Sequence, residues 1–120
     1  MAVKVLIERT VRPGYEASVW EMIKELRGEA IRHRGYLTGE TWRSLTDPKV
    51  FMVVSTWGTR QYWEDFSTNE LRAKINDRIN LLLSEPPIIK LYEEVSDIPE
   101  ASPTRQNPSP RRRNFERQGN

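Results

Sequence analysis

Near the N-terminus Val3, Val5 and Ile7 alternate with Lys4, Leu6 and Glu8. That two-residue period predicts a strand. Arg12-Pro13-Gly14 is a turn signal. From Tyr15 to about His33 the spacing becomes helical, with Val19, Ile23, Leu26 and Ala30 on one stripe and Met22 beside it. Gly35 is placed to end that helix. Tyr36 to Leu45, rich in Thr, Tyr and Trp, predicts a second strand. Thr46-Asp47-Pro48 is a hairpin turn, and Val50 to Trp57 is a third strand. The run FMVVSTW begins apolar on both faces, which places it near the centre of a sheet. Gly58 breaks the strand, and Thr59 can cap a short helix through Phe66. Ser67-Thr68-Asn69-Glu70 has capping-box spacing. Leu71, Ile75, Ile79 and Leu82 then share a helix face until Pro86-Pro87 stops it. Ile88 to Val95 is the last strand.

The order β-α-β-β-α-β is the split βαβ, or ferredoxin-like, arrangement of the α+β class. It gives a four-stranded antiparallel sheet with helices on one face. The uncovered face still carries apolar groups, and such a face normally pairs with a symmetry mate. The expectation is a homodimer packed sheet to sheet. Composition shifts after Val95: residues 96–120 hold four Pro, several Ser and Asn, and Phe115 as the only large apolar residue after Ile98. Such a segment buries too little to offset ordering, so the reading is a domain over 1–95 and a disordered Pro/Arg-rich tail over 96–120.

Charge narrows the partners. Residues 1–95 balance fourteen Lys/Arg against fourteen Asp/Glu, and the net +2 comes from the tail. A domain without basic bias argues against nucleic acid as a partner. The run Arg111-Arg112-Arg113 has little specificity of its own. No stretch approaches the roughly 18 apolar residues of a membrane span, so no membrane partner and a cytoplasmic location are expected. The chain has no Cys and one His. It shows no phosphate loop, nucleophile elbow or metal-ligand spacing, and no bound cofactor or metal is expected.

One stretch resembles a known family. Trp57-Gly58-Thr59, Tyr62-Trp63 and Phe66, followed by Thr68 and Leu71-Arg72-Ala73, are similar to the motif of the antibiotic biosynthesis monooxygenase (ABM) family. The opening strand and helix, the corner His33-Arg34-Gly35-Tyr36 and the closing strand IIKLYEEV match in order and spacing. The resemblance covers about residues 2–95. It implies a dimeric α+β barrel whose relatives include cofactor-free oxygenases of quinols and polycyclic aromatics, and haem-degrading monooxygenases. The haem branch carries a proximal His where this chain has Ile75, and its first-strand Asn aligns near Ile7 or Glu8. Haem ligation by that pattern is therefore not expected. The resemblance implies an oxygenase without bound cofactor; the alternative, with the same pocket, is a non-catalytic dimeric module that binds a small aromatic ligand. A third reading makes the tail the working part.

Candidate site residues follow from both lines. Trp57, Trp63 and Phe66 would wall a pocket between sheet and helices, or simply pack a corner there. Trp42 and Arg43 point to opposite faces of the second strand, Trp42 with Tyr36 and Glu40, Arg43 with Leu37 and Thr41. An inward Arg43 would suit an anionic ligand such as a phenolate; an interface salt bridge is the alternative. Glu8 is a candidate general base if burial raises its pKa, or an ion-pair partner of Arg43 or Arg9. Asn69 and Tyr92 complete the polar candidates. His33, between two Arg at a helix C-terminus, reads as a solvated cap.

Overall fold

The structure, a computed structural model, describes residues 1–95. The expected tail, residues 96–120, lies outside the described residues. In chain order the elements are β1 (Val3–Thr10), α1 (Glu16–Ala30), β2 (Tyr36–Arg43), β3 (Val50–Trp57), α2 (Arg60–Ser67), α3 (Glu70–Asn80) and β4 (Ile88–Glu93). The strands form one antiparallel sheet in the order β2-β3-β1-β4. This is the α+β ferredoxin-like architecture that the periodicity predicts, with the apolar third strand in the interior of the sheet.

The pairing register assigns the faces. Val3, Val5, Ile7 and Arg9 of β1 lie opposite Trp57, Ser55, Val53 and Phe51 of β3. These residues face the helices, and the core forms between them and Val19, Ile23, Leu26 and Ala30 of α1 together with Ile75 and Ile79 of α3. Leu6, Glu8, Met52, Val54, Thr56 and Tyr92 lie on the other, open face. Among the described residues no helix is long and apolar enough to cross a membrane.

Three local expectations are corrected. A register shift between Tyr36 and Thr38 puts an extra residue, Leu37, into β2. Two residues then oppose one on the neighbouring strand, and face parity inverts across the bulge. Tyr36 therefore shares the helix face with Thr41 and Arg43, while Trp42 and Glu40 are on the open face. The first helix ends at Ala30, and Gly35 instead takes φ +87° in the turn into β2. A Cβ there would also strike the Tyr62 ring, so the position requires glycine twice over. The cap of α3 is Asn69, whose Oδ1 accepts from the Arg72 amide at 3.0 Å; Ser67 instead donates its hydroxyl back to the Glu64 carbonyl.

The buried arc of α3 is also displaced from expectation. It is Arg72, Ile75 and Ile79 that are buried, while Leu71 is 52% exposed. Residues 72, 75 and 79 follow the i, i+3, i+7 spacing of one face. Leu71 sits at the edge of that arc, and a guanidinium takes the place under the sheet that a leucine was expected to fill.

Candidate functional site

An aromatic cluster forms where β3 hands over to α2. Thr59 caps α2 by accepting the Tyr62 amide at 3.2 Å. This fixes the phase of the helix so that Trp63 and Phe66 turn inward. Trp57, fully buried, is the centre: Phe66 stacks on it at 5.1 Å, and Tyr36 and Trp63 meet it edge-on at 5.4 and 5.9 Å. Such offset and edge geometries are the favoured ones for aromatic pairs. The Trp57 indole N–H donates to Ser55 Oγ at 3.0 Å, two residues back on the same strand face.

These four rings wall a cavity of about 50 Å³ between the sheet and the helices. Ile7, Val53, Ile23 and Leu26 supply its aliphatic side. A single water needs roughly 10–15 Å³ on this measure, so the space suits a small ligand and not a fused polycycle. Polar groups are few. Ser55, Thr41 and Glu40 line it from the sheet, Arg27 from α1 and Arg72 from α3. The Tyr36 hydroxyl is buried without a hydrogen-bond partner and lies against Gly39, where any Cβ would strike it.

The most unusual feature is a pair of interior guanidiniums. Arg9 is 1% exposed and Arg72 is 7% exposed. Among the described residues neither forms an ion pair. Arg9 Nη2 donates to Asn76 Oδ1 at 3.1 Å, and its Nε and Nη1 have no partner. Arg72 Nη1 donates to the Ser67 carbonyl at 3.4 Å, and its Nε has none. The guanidinium carbon of Arg72 lies over the Trp63 and Phe66 rings, 5.1 and 5.7 Å from their centroids. Burial, then the charge of Arg72, lowers the Arg9 pKa to about 10; burial lowers that of Arg72 as well. Both remain cations at neutral pH, so the interior carries two positive charges.

The sequence-derived candidates divide. Trp57, Trp63 and Phe66 line the cavity together; Glu8, Arg43, Asn69 and Tyr92 do not. Glu8 is exposed on the open face, with Arg9 on the opposite one. Arg43 is exposed in a surface groove with Trp20, Trp42 and Phe51. Asn69 is the α3 cap, and Tyr92 is an exposed residue of the edge strand β4. His33 is half-buried rather than solvated, bonded to Glu29 Oε2 at 3.2 Å and tilted against Phe66. Sequence reading missed Tyr36, Ser55, Arg72 and Arg9. Two of them left a signal: Arg9 continues the inward alternation Val3-Val5-Ile7, and Arg72 lies in helical phase with Ile75 and Ile79.

The residues do not fit a haem held by the His pattern of the haem-degrading branch. Ile75 is a hydrocarbon side chain packed in the core, and the one His is engaged by Glu29. Among the described residues no three His, Asp or Glu side chains gather into a metal-binding group.

Comparison with known proteins agrees on the fold. A conserved protein from Methanosarcina mazei Go1 is similar with a TM-score of 0.75 at 16% identity, covering 79% of this chain and 94% of that one. An antibiotic biosynthesis monooxygenase is similar with a TM-score of 0.71 at 18% identity, covering 78% and 98%. SnoaB, a cofactor-independent oxygenase from Streptomyces nogalater, is similar with a TM-score of 0.72 at 13% identity, covering 82% and 98%. No match was found among curated proteins. The antibiotic biosynthesis monooxygenase profile matches residues 2–78, more than half of the sequence and all of the aromatic corner. The chain belongs to the ABM family.

Proposed function

We propose that the protein is an ABM-type monooxygenase that oxidises a small aromatic, quinol-like substrate with O2 and without a bound cofactor. The observation that carries this reading is the aromatic-walled cavity with a cationic group at its edge, formed by Trp57, Trp63, Phe66 and Arg72. The rings would hold the substrate ring. Arg72 would lower the pKa of a phenol bound beside it, so that the substrate sits as its anion. The unpartnered Tyr36 hydroxyl is a second donor for the same oxygen.

An electron-rich anion of this kind reduces O2 directly. For a single-ring quinol the balance is quinol + O2 → hydroxyquinone + H2O: the substrate supplies all four electrons, one oxygen atom enters the product and the other leaves as water. The protein contributes position, an apolar site and stabilisation of the anion. The likeness to SnoaB supports this reading at the level of the fold. A homodimer formed through the open sheet faces belongs to the same proposal.

The test is oxygen uptake by the purified protein with a panel of single-ring quinols, without added flavin, haem or metal. Uptake of one O2 per product, reduced at least tenfold in Trp63→Ala, is the expected result. No uptake with any quinol, from protein that binds them, would favour a second reading. That reading is a binding module for small aromatics, and one observation supports it. Among the described residues, the one carboxylate residue at the cavity, Glu40, turns its side chain to the Trp42 indole on the open face, and no other acid and no His lines the space. The cavity therefore has no evident side-chain base.

A further inference from the structure

Two buried cations without a counter-ion among the described residues are an unbalanced arrangement. Hydration of their free N–H groups would satisfy hydrogen bonds but would not neutralise charge, and an unpaired buried charge is strongly unfavourable. The geometry also limits what neutralises them. The N–H groups of a guanidinium point outward in its own plane, so a strong acceptor must approach Arg72 there, where Nε is unpartnered; the Trp63 and Phe66 rings stand 5.1 and 5.7 Å from its centre. Asn76 engages only one nitrogen of Arg9, and Asn76 stands one helical turn beyond Arg72 on α3. Ile7, which lines the cavity, precedes Arg9 by two residues on the same strand face. The second charge therefore stands directly behind the wall that Arg72 completes.

Resting on the reading of the cavity as the substrate pocket, we propose that its ligand is a small aromatic acid, whose carboxylate binds the Arg72 guanidinium with Arg9 behind it and whose ring lies against Trp57, Trp63 and Phe66. A planar carboxylate matches the donor edge of a guanidinium better than a phenolate does, because it offers two in-plane oxygens. One ring plus one carboxylate also suits the size of the space.

The test is thermal unfolding of the full chain with benzoate, with benzamide as its neutral isostere, and with inorganic phosphate, at matched ionic strength. Benzoate is expected to raise Tm with an affinity at least about tenfold above that of benzamide. Phosphate, lacking the ring, is expected to give little shift. Equal shifts from benzoate and benzamide would show an apolar pocket without anion recognition and overturn the proposal. An equal shift from phosphate would show a free-anion site and overturn the aromatic part; no shift from benzoate overturns both parts. Arg72→Met is expected to abolish the benzoate shift while the ligand-free variant stays at least as stable as the parent. A ligand-free variant that is less stable, or that does not fold, would mean the charge is already neutralised within the protein, and the proposal fails. Oxygen uptake is a separate readout: benzoate binding without turnover of any quinol leaves the anion site and sinks the monooxygenase.

Discussion

Trp57 joins the packing of this protein to its pocket. Its ring is fully buried, three other aromatics touch it, and its N–H is bonded to Ser55. The choice between a packing corner and a pocket wall therefore does not arise: one face of the cluster is core and another bounds the cavity. Trp57→Ala is expected to destabilise by about 3–5 kcal/mol, the range for deleting a buried large aromatic. Trp57→Phe should cost less, because a phenyl ring fills most of the space of the indole, although Ser55 Oγ then loses its donor. Urea denaturation midpoints of the two variants check the order. Arg72 behaves in the opposite sense. Because it is buried without an acid partner among the described residues, Arg72→Met is expected to raise stability by about 1–4 kcal/mol, the range found when buried ionic groups are exchanged for apolar ones of similar size. A loss of that size in the same urea experiment would reveal a counter-ion for Arg72.

At the scale of elements, α3 shows how a cap sets which side chains enter the core. Asn69 holds the first turn through the Arg72 amide, and moving the start of the helix by one residue would rotate Arg72 away from the cavity by about 100°. Asn69→Ala should cost about 0.5–2 kcal/mol, while Asn69→Asp, which keeps an accepting oxygen, should be nearly neutral. If Asn69 instead worked as an amide donor to substrate, Asn69→Asp would keep stability and lose oxygen uptake. Element order, most boundaries and the α1 stripe were legible because apolar spacing records the period of each element directly. Leu37 was not legible as a bulge: a single extra residue leaves the composition of β2 unchanged and inverts every side chain beyond it. That inversion moved Tyr36 to the cavity and Trp42 away from it. Arg9 and Arg72 were overlooked for a different reason. Their positions had the right phase, but a charged residue at an apolar position reads as a surface residue unless the strand register and helix phase are taken literally.

At the scale of the whole molecule, one broad surface is left uncovered by the described residues. Leu6, Met52 and Val54 sit at the middle of the open sheet face, with Trp42 exposed on β2 and Ile88 and Tyr92 exposed on β4. A sheet with an apolar middle on this face, flanked by Lys4, Glu8, Glu40 and Lys90, gains by burying it against a second copy, and a stable interface needs roughly 800 Å² per partner. The proposed homodimer predicts that Val54→Glu, a charge at the centre of that face, gives a monomer in sedimentation velocity while the parent sediments as a dimer. Val54 points away from the helices, opposite Leu6, so the cavity is not touched directly and the benzoate shift should survive in the monomer. Loss of that shift together with the dimer would mean that the partner subunit shapes the site. A monomeric parent would sink the sheet-to-sheet packing, and the exposed groups of β2 and β4 would then need another partner.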